Sequence, residues 1–128
     1  MSKDDYLFVY GTLRRDAGNP THHVLSQHTD FVSQGTYQGR LYDLGKYPGA
    51  VPSDQSSDAV TGEVYVLNDR DPLLKRLDEY EGPRFRRQRV TISLANGEEV
   101  VAWIYLYDGA TNELETIPSG DYLEFRKP

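Results

Sequence analysis

Glu99-Val100-Val101-Ala102-Trp103-Ile104-Tyr105-Leu106-Tyr107 is the stretch on which the fold of this chain turns. It has the length of a strand rather than a helix, and β-branched and aromatic residues dominate it. Alternate positions form two faces, Val100, Ala102, Ile104 and Leu106 on one and Val101, Trp103, Tyr105 and Tyr107 on the other. Both faces are mostly apolar. A strand covered on both sides belongs in the middle of a sheet or a barrel wall.

Working outward, Asn96-Gly97 is the strongest hairpin signal in the chain, and it makes residues 85–94 a partner strand with outward arginines. Before that strand, Gly82-Pro83 ends a helix that is expected to start with Asp71 as N-cap and Pro72 at its first position, and to run to Tyr80. Residues 60–67 alternate as a strand, and residues 6–10 form a short buried strand that stops at Gly11. Residues 31–44 read as one bent or bulged strand interrupted at Gly35 and Gly39. Asn19-Pro20 opens a short helix to about His28, and residues 45–58, rich in Pro, Gly, Ser and Asp, read as a surface loop. The tail has low periodicity, with one more short strand or turn at residues 122–125. Together these predict an α+β fold: a small mixed β-barrel with short flanking helices, one domain over residues 1–128.

Composition narrows the function. The net charge of −6 argues against nucleic-acid or anionic-membrane partners, and the absence of cysteine removes disulfides and thiolate chemistry. No apolar run is long enough to span a membrane, and the polar residues 1–5 do not read as a signal peptide, so a cytoplasmic protein is expected. The histidines His22, His23 and His28 lack ligand spacing, and no G-x-S-x-G elbow exists. No metal or cofactor is expected.

Two features carry chemistry. Gly11, Thr12 and Leu13 offer successive backbone N–H groups at a strand end, either an ordinary turn or an anion-binding concavity. Asp78, Glu79 and Glu81 crowd the C-terminal turn of the predicted helix, where the macrodipole disfavours negative charge. At about 100° per residue, Leu73, Leu74, Leu77 and Tyr80 share one face and Glu81 falls within it, with Asp78 at its edge. Glu81 then either projects inward as an acid/base of raised pKa or pairs with one of Arg84, Arg86, Arg87 and Arg89.

A strand ending Tyr10-Gly11-Thr12-Leu13-Arg14, with Asp78-Glu79-Tyr80-Glu81-Gly82 about seventy residues later, resembles the γ-glutamylcyclotransferase-like family. Within it the small γ-glutamylamine cyclotransferase-type proteins are most similar. The likeness extends through Tyr47-Pro48-Gly49, Gly62-Glu63-Val64-Tyr65 and Ala102-Trp103-Ile104-Tyr105. It implies a barrel with a pocket at its mouth. Tyr10, Gly11, Thr12 and Leu13 would hold the α-carboxylate end of a small-molecule γ-glutamyl substrate, with Glu81 as catalytic glutamate and Tyr105 lining the pocket. The implied reaction releases 5-oxoproline and a free amine without a cofactor. Phe85 departs from the pattern of the dipeptide-specific cyclotransferases, which tend to carry tyrosine after the glutamate. The alternative is a non-catalytic binding or regulatory protein using the same pocket for a γ-glutamyl-like ligand.

Overall fold

The computed structural model describes residues 5–15, 21–68 and 70–125. The long hairpin is its most regular part. Strands β6 (Phe85–Leu94) and β7 (Glu99–Tyr107) pair without a slip from Phe85↔Tyr107 to Ser93↔Glu99. Leu94 accepts from Gly97 N at 2.9 Å, and Gly97 takes φ 92°, a left-handed conformation that favours glycine.

Five strands close a ring. β1 (Tyr6–Val9) runs antiparallel to β5 (Val60–Leu67) and parallel to β7, while β2 (Thr29–Tyr37) joins β5 to β6. The central position expected for β7 is what the sheet shows, and β7 also forks it. Its first half pairs with β1 at Ala102 and Trp103, and its second half with β4 (Pro48–Pro52) at Leu106. Beyond β4 lie β3 (Gly39–Asp43) and the two-residue β8 (Glu115–Thr116).

The alternation of β1 and β7 divides the apolar residues into two cores. Phe8, Tyr10, Val64, Ile92, Ala102, Ile104 and Leu106 fill the barrel. Leu7, Val9, Tyr65 and Tyr105 face outward, beneath Leu25 of α1 (Thr21–Gln27) and Leu73, Leu74 and Leu77 of α2 (Arg70–Glu81). Each fully buried leucine of α2 contributes about 1.5–3 kcal/mol of apolar burial, so this face fixes how the helix lies on the barrel.

Five expectations change. Residues 48–52 are a strand rather than loop: β3 and β7 supply its hydrogen-bonding partners, and its prolines occupy the two ends, where a missing N–H matters least. The single bent strand over 31–44 is two strands divided at Gln38, with the register shift between Phe31 and Ser33. α2 begins at Arg70, which puts Asp71 inside it, and Tyr80 is exposed. Residues 122–125 form a helical turn, α3 (Tyr122–Phe125), because the Asp121 carboxylate accepts from the N–H groups of Leu123 and Glu124 at 3.1 and 3.3 Å. Asn19 and Pro20 lie outside the described residues.

Candidate active site

The site lies where β7 parts from β1 and takes up β4. Separating strands leave backbone groups without ladder partners. Tyr10 fills that gap: its buried hydroxyl donates to the Tyr105 carbonyl at 2.5 Å and accepts from Ala50 N at 3.1 Å. Burial pushes its pKa up. The Tyr10 hydroxyl is therefore spent on the fold.

The chain then turns over residues 11–14, with Arg14 N donating to the Gly11 carbonyl at 3.1 Å. Gly11 does not have a positive φ. It is needed for close approach, because a Cβ there would lie 2.9 Å from Pro48 Cγ. The N–H groups of Thr12 and Leu13 have no hydrogen-bond acceptor among the described residues. Their turn is anchored on every side. Leu13 is buried, and its carbonyl accepts from His22 Nδ1 at 2.8 Å. Arg14 is buried and donates to Asp121 at 2.8 Å and to Glu63 at 3.4 Å. Glu63 also accepts from Arg15 N at 3.0 Å and from the Tyr65 hydroxyl at 2.8 Å.

Glu81 is the last residue of α2. Gly82 follows at φ 79° and donates its N–H to the Asp78 carbonyl at 3.1 Å, a left-handed helix end. The Glu81 carboxyl has no hydrogen bond or ion pair with any described residue. Three of the four nearby arginines are engaged elsewhere, Arg87 with Asp78, Arg89 with Asp5, and Arg84 with the Tyr47 hydroxyl, and Arg86 makes no ion pair with Glu81. Burial pushes the Glu81 pKa from 4.5 up to about 7.

Glu81 and the five other residues singled out from the sequence, Tyr10, Gly11, Thr12, Leu13 and Tyr105, line one cavity. Phe8, Val9, Tyr47, Pro48 and Phe85 complete it. Tyr105 contributes its ring. Its hydroxyl donates to Asp78 at 2.7 Å, and burial, then that bond, push its pKa up. An outer space shares Thr12, Tyr47 and Glu81 with the cavity and adds Tyr80, whose hydroxyl is 3.1 Å from Thr12 Oγ1. Glu81 thus faces two compartments. Asp78, Tyr80, Arg14 and Glu63 were not singled out from the sequence as parts of the site. Of these only Asp78 carries a local signal, a carboxylate at the disfavoured end of a helix.

The chain belongs to the γ-glutamyl cyclotransferase, AIG2-like family, which it matches over residues 7–124. The γ-glutamylcyclotransferase family protein YtfP of Escherichia coli (strain K12) is 36% identical over 120 residues, 92% of this chain and 96% of that protein. YkqA from Bacillus subtilis superposes with a TM-score of 0.77 at 30% identity, covering 96% of this chain and 41% of that one. An AIG2-like protein from Mus musculus shares the fold, with a TM-score of 0.74 at 24% identity over 94% of this chain and 89% of that one.

Proposed function

We propose that this chain converts a γ-glutamylamine to 5-oxoproline and free amine, with Glu81 as general acid/base and the 10–13 loop holding the substrate α-carboxylate. The observation that carries the reading is a half-buried carboxyl, without a partner among the described residues, that lines the same cavity as Thr12 and Leu13, whose backbone N–H groups have no acceptor among those residues. In the reaction the α-amine attacks the γ-carbonyl of the same molecule. A carbon–nitrogen bond closes the ring, the original amide bond breaks, and the proton lost by the attacking nitrogen ends on the leaving amine.

The enzyme's tasks are then few. Folding the substrate into an attacking geometry supplies much of the rate, as in other intramolecular reactions. Thr12 and Leu13 N–H groups suit a carboxylate, which accepts two hydrogen bonds at once. Proton transfer needs a carboxyl whose pKa approaches that of the amine. Against an α-amine near 8, a glutamate at its ordinary 4.5 is mismatched by about 5 kcal/mol, and one at about 7 by about 1.4 kcal/mol. The outer space beyond Glu81, lined by Tyr47, Tyr80 and Thr12, suits the leaving amine. One carboxyl facing both compartments can take the proton on one side and return it on the other.

The test is 5-oxoproline release from a panel of γ-glutamylamines and γ-glutamyl amino acids. Turnover of an amine conjugate by wild type and its loss in Glu81→Gln are expected. Binding of the panel or of 5-oxoproline with no turnover by wild type would point instead to a non-catalytic ligand-binding role.

A further inference from the structure

Asp78 stands where a helix disfavours negative charge, yet its partly exposed carboxylate accepts three hydrogen bonds. Its carbonyl accepts from Gly82 N at 3.1 Å, closing the end of α2. Its side chain accepts from the Tyr105 hydroxyl at 2.7 Å, from Arg87 Nε at 2.8 Å and from Arg87 Nη2 at 3.2 Å. Burial opposes the charge, but the bonds from Arg87 and Tyr105 outweigh it and hold the carboxyl below the usual carboxylate range. Arg87 is in turn stacked on Trp103, its guanidinium 4.5 Å from the ring centroid. One residue therefore ties the last turn of α2 to both β6 and β7.

That turn needs a tether. Helix ends fray, and Glu81 is the final helical residue, followed by a left-handed glycine and without a hydrogen-bond partner among the described residues. No described residue holds the side chain at its carboxyl. Its direction is inherited from the backbone of the turn, and the Tyr80 hydroxyl contact to Thr12 that also reaches across from this turn is exposed.

We infer that Asp78 is a positioning residue for Glu81: clamped between Tyr105 and Arg87, it fixes the end of α2 on the barrel wall and so aims the Glu81 side chain into the cavity. The inference rests on the acid/base reading of Glu81. Its signature is a loss of turnover without a loss of substrate binding. A displacement of about 1 Å of a reacting group can cost on the order of 100-fold.

Asp78→Asn keeps an acceptor oxygen but loses the charge-assisted fork with Arg87. Arg87→Lys keeps the charge and loses the fork from the other side. Steady-state kinetics on the fastest substrate of the panel, with melting temperature measured in parallel, should show kcat down about 10- to 100-fold for Asp78→Asn. Arg87→Lys should lose less, and KM should hold in both. A lower melting temperature with kcat unchanged would reduce the clamp to a structural contact and overturn the inference. So would a rise in KM at constant kcat. If Asp78→Asn does not fold, Arg87→Lys carries the same comparison from β6. Glu81→Gln, assayed alongside, separates the two claims. Full turnover by Glu81→Gln overturns the acid/base reading itself, whereas an inactive Glu81→Gln beside wild-type kcat in the clamp variants overturns only the role of Asp78.

Discussion

Glu63 is buried and Glu81 half-buried, and both serve the 10–15 segment, one at its root and the other in the cavity its tip lines. Glu63 is 2% exposed and accepts from Arg14, Arg15 N and the Tyr65 hydroxyl. Glu81 accepts from no described residue, and burial alone pushes its pKa up to about 7. Burial of a carboxyl thus has two outcomes. With partners, the group becomes a fixed point of the fold. Without them, the proton becomes easy to keep and easy to give up near neutral pH, which is what acid/base work requires.

The comparison breaks most sharply if Glu81 is neutralised. Glu81→Gln should lower kcat by about 10²–10⁴-fold, the usual reach of a general acid/base, while the protein remains folded. Glu63→Gln, by contrast, should show its main effect in melting temperature. Equal losses of turnover per folded molecule in the two variants would remove the distinction between a reacting and a structural glutamate.

Arg14→Ala tests the other side. Removing the guanidinium leaves the Glu63 charge buried without its cation, which costs about 3–5 kcal/mol. For a domain of this size that is roughly 10–20 °C in melting temperature. Because Asp121 also loses its bond to Arg14, the hold of α3 on the loop weakens in the same variant. A melting temperature within a few degrees of wild type would show that the Arg14 network contributes little.

Glu81 should also leave a mark on stability as pH changes. Its folded pKa, about 7, lies above its ordinary 4.5, so the folded state holds the proton more tightly than the unfolded one. The resulting stability is fully present below about pH 4.5 and is lost as pH rises through about 7, an effect of up to about 3 kcal/mol. Glu81→Gln carries no such titration. Thermal melts from pH 4 to 8 should therefore show wild type falling relative to Glu81→Gln across that window. Parallel curves would mean that the Glu81 carboxyl is better solvated than its place in the cavity implies.

The sequence made some of this legible and concealed the rest for identifiable reasons. β7 was readable because its two apolar faces meet two separate cores, and β5 because its bounds coincide with a clean alternation. The helical period placed Leu73, Leu74 and Leu77 correctly but left Glu81 between an inward position and an arginine partner, and the cavity it lines is a tertiary feature. Tyr80 shares that face by angle but is exposed, since a wheel does not record where the underlying wall ends. β4 was hidden because its prolines and glycine carry turn propensity, and its partners come from β3, β7 and the Tyr10 hydroxyl. The Arg14–Glu63–Asp121 network joins residues 49 and 107 positions apart, and no local pattern signals it.

The smallest effect lies at the residue that ends the Glu81 helix. Gly82 sits at φ 79°, and a Cβ added there would meet nothing within 4 Å, so alanine is disfavoured by backbone conformation and not by crowding. Holding an L-residue in the left-handed region costs about 1–2 kcal/mol, which either lowers the melting temperature by a few degrees or is relieved by unwinding the last turn. The two responses differ at Glu81. If the turn holds, Gly82→Ala is less stable but keeps its kcat. If it unwinds, kcat falls with the direction of the Glu81 side chain, while the Glu63 network and the loop it anchors stay intact. Kinetics and melts on this one variant therefore measure how firmly Glu81, without a partner among the described residues, is aimed, where Glu63 is held by its own hydrogen bonds.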